Sequence, residues 1–185
     1  MQIYFNKGVT LIELLIALSI VVIIAGYSIT SFSSYMERQK LKAAGETIFA
    51  DLRLAQSESI KRNQTVYVDF ETYEGGWCYG VNVGSECSCN TKNSCQLDNV
   101  EKVKSNERFN GITLESAKFA GNKDYTAFDP VKGFAQADGV KNGTIWLQSD
   151  DGTQLAVIVN RLGRVRFCSL TLSGYSNQCP AFPKK

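Results

Sequence analysis

Histidine is absent from all 185 residues. Its absence removes the commonest general base, the Ser-His and Cys-His nucleophile pairs, and most zinc sites. Catalysis built on carboxylates or lysine survives that cut, but no acid, base and nucleophile group together, so no catalytic residue, cofactor or metal is expected. Net charge is nearly absent as well. Twenty Lys and Arg against 18 Asp and Glu leave +2, too little for a strong field, so any basic surface must come from local clustering. Internal repeats and low-complexity tracts are missing. Charge is also missing from residues 14 to 36, a run of 23 residues without proline.

What remains is 44% apolar and 21% charged residues with six cysteines. That composition is globular rather than disordered, and the length favours one domain with a flanking segment. The uncharged run from Leu14 to Met36 is rich in Leu, Ile and Val and long enough to cross a hydrocarbon core of roughly 30 Å as a helix. A cleavable secretory signal has an apolar region of only about 7–15 residues, so a membrane helix is preferred. Orientation is contested. Lys7 alone precedes the run and Arg38, Lys40 and Lys42 follow it, which by a positive-inside count leaves the remainder in the cytoplasm. Six cysteines argue instead for an oxidising compartment, and they decide the reading.

Before the run stands Lys7-Gly8-Val9-Thr10-Leu11-Ile12-Glu13-Leu14-Leu15. A short polar leader ends in glycine, and an apolar run follows with one carboxylate at its fifth position. This resembles the class III signal of type IV prepilins and of the pseudopilins of type II secretion. The resemblance implies that a prepilin peptidase cuts after Gly8 and methylates Val9, where the family usually has Phe. Glu13 at the edge of an apolar span is costly unless paired. A cut after Gly8 would create an α-amino cation, a natural partner for Glu13 of a neighbouring subunit. A carboxylate resting unpaired at the headgroup level is the plainer alternative.

Past Met36 the pattern turns amphipathic without a break. Leu41, Ala44, Gly45, Ile48, Leu52, Ala55 and Ser59 recur at steps of three and four among charged residues, with Lys61, Arg62 and Asn63 suited to a helix end. One helix is expected from about Val9 to Arg62. Strand patterns then follow at Thr65–Phe70, Trp77–Val83, Ile112–Phe119, Thr144–Leu147, Gln154–Val159 and Arg164–Leu170. Turn residues at Ser149-Asp150-Asp151-Gly152 and Asn160-Arg161-Leu162-Gly163 make the last three a meander. The expected class is α+β, a long N-terminal helix with a membrane-spanning first half, packed on an antiparallel β-sheet head. Its parts are a leader at 1–8, the membrane and assembly part of the helix at 9–36, the amphipathic half at 37–62 and the head at 63–185.

Gly76-Trp77-Cys78-Tyr79-Gly80-Val81, Phe128-Asp129-Pro130 and Leu162-Gly163-Arg164-Val165-Arg166-Phe167-Cys168 resemble the GspH/FimT group of minor pilins and pseudopilins. With the N-terminal signature, that resemblance spans nearly the whole chain. It implies the type IV pilin fold, with major and minor pilins, the prepilin peptidase and the inner membrane as partners. It also implies a single-pass protein whose head lies in the periplasm before entering a pilus at the cell surface. A type II secretion pseudopilin with no DNA role is the alternative.

Cys78, Cys87, Cys89 and Cys95 form Cys-x-Cys-x5-Cys after a first Cys, without the paired Cys-x2–4-Cys arms of a zinc site. Two disulfides in one of three connectivities are expected there, and Cys168 with Cys179 as the remaining pair. From Gly152 to Lys185 there are five basic residues, Arg161, Arg164, Arg166, Lys184 and Lys185, and no acidic one. On a strand, Arg164 and Arg166 share a face roughly 6.6 Å apart, near the phosphate repeat of extended nucleic acid. An ordinary solvated face, paired to Asp150, Asp151 or a neighbouring subunit, is the competing reading. Gly163-Arg164-Val165-Arg166 resembles the Gly-Arg-x-Arg motif of DNA-binding FimT-like pilins, which implies sequence-independent phosphate contacts during natural transformation. Tyr175 and Phe182 lie near the stripe; core packing is favoured for them over base stacking.

Overall fold

The computed structural model describes residues 8–135 and 142–183; the side chains of residue 25 and residues 27–31 fall outside that description. Helix α1 runs Leu11–Arg62, starting two residues later than the apolar pattern suggested. The reason is local. Thr10 stands before it and its hydroxyl accepts the Glu13 N–H at 3.3 Å, the Thr-x-x-Glu spacing of a capping box. Glu13 thereby occupies the first turn, where the helix dipole favours a negative charge. At the other end Asn63 adopts φ 52°. Its N–H reaches the Ile60 carbonyl at 3.3 Å and that of Gln64 reaches Ser59 at 3.2 Å, the paired bonds of a Schellman closure.

The chain divides into two compact units, Met1–Met36 and Glu37–Lys185. In the first, the large apolar side chains from Leu11 to Ile24 are each more than half exposed. Among the described residues, no helix is long and apolar enough to cross a membrane; the described side chains run unbroken only to Ile24.

In the second unit α1 buries one stripe completely: Leu41, Ala44, Ile48, Leu52, Ala55 and Ser59, the spacing seen in the sequence. Two antiparallel sheets meet it. The first is built on β1 (Val66–Tyr73) and β2 (Gly76–Val83), paired along their whole lengths. A two-stranded ribbon, β3 (Gln96–Leu97) and β4 (Val100–Glu101), then leads to β5 (Val103–Ser105). A short 3-10 turn at Asn106–Phe109 precedes β6 (Ile112–Phe119) and β7 (Tyr125–Phe128). The first sheet has the order β5-β2-β1-β7. The second contains β8 (Gly143–Ser149), β9 (Gln154–Val159) and β10 (Val165–Cys168), in the order β10-β9-β8-β6.

The meander β8-β9-β10 is present, but its last strand is shorter than Arg164–Leu170. Arg164 belongs to the preceding turn. At the far end the Ser169 hydroxyl accepts the N–H groups of Thr171 (3.2 Å) and Leu172 (2.9 Å), turning the chain out of the sheet. The main core joins the α1 stripe to inward residues of both sheets, among them Val66, Val68, Ile145, Leu155 and Val157. Each fully buried aliphatic there contributes about 1.5–3 kcal/mol. A smaller cluster covers the opposite face of the second sheet: Trp146, Ala156, Ile158 and Cys168, overlaid by Cys179 and Phe182.

Candidate functional site

The arginines are presented by a tight hairpin loop. Gly163 N–H bonds the Asn160 carbonyl at 2.9 Å, and Asn160 N–H bonds the Arg164 carbonyl at 3.0 Å. The Asn160 side-chain oxygen also accepts the Arg164 N–H at 2.9 Å. Gly163 must be glycine twice over: its φ is +75°, and a Cβ there would run into the Gln56 amide and the Gly133 carbonyl. The turn is thus seated directly on α1 and on the 129–134 loop.

From that seat β10 alternates. Val165 is buried and Phe167 packs on the main core, whereas Arg166 is exposed. Arg164 and Arg161 are exposed as well. Among the described residues, neither Arg164 nor Arg166 forms an ion pair; of the two acidic neighbours weighed from the sequence, Asp150 and Asp151, the second instead faces Arg38 at 3.9 Å. The Asp151 carboxyl is held below its ordinary range chiefly by the Ser149 hydroxyl. Lys184 and Lys185 lie outside the described residues. Tyr175 meets Phe167 edge-on at 5.7 Å and Phe182 meets Trp146 edge-on at 5.1 Å, so both rings are engaged in packing.

Sequence reasoning did not single out Gln56, Arg53 or Lys132. Gln56 donates to the Gly133 carbonyl at 2.8 Å and accepts from Arg53 at 2.9 Å, joining α1 to the loop that carries Lys132. Asp129 organises that loop, accepting the N–H groups of Val131, Lys132 and Phe134 at 2.8–3.0 Å. The Phe-Asp-Pro motif is therefore a loop-folding device whose carboxylate is consumed by backbone donors.

The disulfides are Cys78–Cys89, Cys87–Cys95 and Cys168–Cys179. Glu71 and the sulfurs of Cys78 and Cys89 lie within 4.8 Å of one another, but sulfurs bonded to each other cannot serve as thiolate ligands. Glu71 instead accepts from Ser88 (3.1 Å) and Asn90 (3.0 Å), and Asp69 from Cys87 N–H (3.2 Å), fixing the cystine loop to β1. Burial pushes the Asp69 carboxyl up to about 7, against the Cys87 bond and with Glu86, Glu71 and Asp124 adding to it. At the N-terminus, Gly8 and Val9 are exposed.

A long N-terminal helix followed by antiparallel sheets is the architecture of type IV pilins. Residues 5–29 match the prokaryotic N-terminal methylation motif, and residues 44–163 match the family described as type II transport protein GspH. The latter match spans most of the chain, which therefore belongs to the GspH family of pilin-like subunits. The crystal structure of the minor pilin FimU from Pseudomonas aeruginosa PAO1 is similar at a TM-score of 0.45 and 17% identity, covering 71% of this chain and 90% of that one. A second crystal form gives 0.45 and 15%, over 69% and 91%. No curated protein matches the chain.

Proposed function

We propose that this chain is a minor type IV pilin that captures extracellular DNA through the arginine turn and β10. It is inserted once in the inner membrane through residues 9–36, with the head in the periplasm. The prepilin peptidase cuts after Gly8 and methylates Val9. Glu13 then pairs with a neighbouring subunit's new N-terminus as the protein joins major and minor pilins. The observation that carries the DNA reading is the exposure of Arg164 and Arg166 with no carboxylate partner among the described residues. Guanidinium forks suit phosphate oxygens and position a strand without reading its bases.

The test is fluorescence anisotropy of a labelled DNA duplex with the full chain in neutral detergent. Salt-sensitive, sequence-independent binding that Arg164→Gln with Arg166→Gln abolishes is expected. Equal weak binding by wild type and variant rejects the reading. A pseudopilin of type II secretion is the second reading, favoured by the description of the matched family. Deletion that impairs protein secretion while sparing twitching and transformation would select it.

A further inference from the structure

Several cations of the head differ in what holds them. Arg62 is clamped by Asp98 through two bonds of 2.6 Å and by Glu58 at 2.6 Å; Lys61 shares Glu58 at 3.2 Å, and Arg38 faces Asp151. These cations already face carboxylates. Arg53 and Lys132 are held differently. The Arg53 guanidinium lies 5.7 Å over the Phe49 ring and donates to Gln56, while the Lys132 ammonium lies 5.6 Å over the Phe134 ring. A neutral amide and aromatic faces orient a cation without cancelling its charge, so both keep their charge for an outside anion.

Both also converge on the arginine turn. Gln56 bonds Arg53 on one side and the Gly133 carbonyl, next to Lys132, on the other. Gly163 has its backbone against that same amide and carbonyl. Arg53 is thus separated from the turn bearing Arg161 and Arg164 by a single side-chain amide. The rim is completed along β10, where Phe167 stacks on Phe49 at 5.1 Å. Because β10 is the edge of its sheet, cations stand on both sides of that edge: Arg164 and Arg166 from the strand side, Arg53 and Lys132 from the helix and loop side. At the far end of this seam Lys42 sits 5.9 Å over Tyr175, a ring that Glu46 also acts on.

We infer that Arg53 and Lys132 are part of the phosphate-binding surface, and that Gln56 is the positioning residue that gathers them beside Arg161 and Arg164. The inference rests on the DNA reading above and extends it from one strand to a face that grips the backbone from two sides. A strand of phosphates crossing the edge of β10 would meet the turn arginines first and the Gln56 pair next.

The experiment measures binding of the same labelled duplex by the full chain in neutral detergent across a salt series, for wild type, Arg53→Gln, Lys132→Gln and Gln56→Met. Arg53→Gln and Lys132→Gln should each weaken binding several-fold and reduce the slope of log affinity against log salt by roughly 0.9. Gln56→Met keeps every charge, so it should weaken binding with the slope lowered by less than one contact. Lys61→Gln, which removes a cation already paired to Glu58, should change neither. If Arg164→Gln weakens binding while Arg53→Gln and Lys132→Gln match Lys61→Gln, the two-sided face is wrong and the arginine stripe stands alone. If the wild type does not bind the duplex, the DNA reading falls and this inference falls with it.

Discussion

Replacing Gly163 with alanine probes the seat of the arginine turn. The position has φ +75°, and a Cβ would meet the Gln56 amide and the Gly133 carbonyl. A left-handed backbone costs a non-glycine residue about 1–2 kcal/mol. Overlap adds roughly 1–3 kcal/mol more, because Gln56 can swing aside but the carbonyl is fixed in its loop. Gly174 supplies the matched control, with φ +89° and nothing within reach of a Cβ, so Gly174→Ala should carry only the backbone cost. Thermal unfolding of the full chain in neutral detergent, followed by near-ultraviolet circular dichroism, should place Gly163→Ala below Gly174→Ala by about 1–3 kcal/mol. At about 2–4 °C per kcal/mol for a chain of this size, that is roughly 2–12 °C. Equal midpoints would refute the claim that the turn rests on α1 and the 129–134 loop.

Asp69 makes stability depend on pH. Its folded carboxyl is raised to about 7 from about 3.9 unfolded, so its contribution is full below about pH 4 and is lost as pH rises through 7. Asp69→Asn never ionises, so its denaturant midpoint should rise relative to wild type between about pH 4 and pH 7; a constant offset contradicts this. Replacing both Cys168 and Cys179 by alanine should cost about 2–4 kcal/mol and release Phe182 from Trp146, read as a red shift in tryptophan emission. An unchanged spectrum shows that the tail holds without the bond. Glu13→Val should leave membrane insertion intact and block incorporation into pili, since it removes the costly carboxylate and its pairing role together; normal incorporation discards that role.

The helix stripe from Leu41 to Ser59 and both glycine turns of the C-terminal meander were legible because each rests on local spacing or on one residue type at one position. The capping box at Thr10 and Glu13 was equally local, and its Thr-x-x-Glu spacing was there to be read. β3, β4, β5 and β7 were not. They are two to four residues long, and β7 exists because Val66–Asp69 pairs with it from far along the chain. The connectivity of Cys78, Cys87, Cys89 and Cys95 is likewise a product of the hairpin that brings them together. Arg164 and Arg166 stood out as neighbours in sequence. Arg53 and Lys132 could not, because a cation on a helix or in a loop looks solvated until a residue such as Gln56 ties the two elements to one turn.

The polar ties of α1 to the head are unevenly distributed. Gln56 to Gly133, Ser59 to Asp129 and the two bonds from Arg62 to Asp98 fasten its last turns, whereas at its other end in the head Arg38 meets Asp151 only at 3.9 Å. A pull applied to the helix from the Arg38 side would meet that weak tie first, then the buried stripe from Leu41 and the 2.6 Å bond from the Tyr79 hydroxyl to Asp51, and the fastened turns last. In its polar ties the head is a buckle whose grip sits at Arg62.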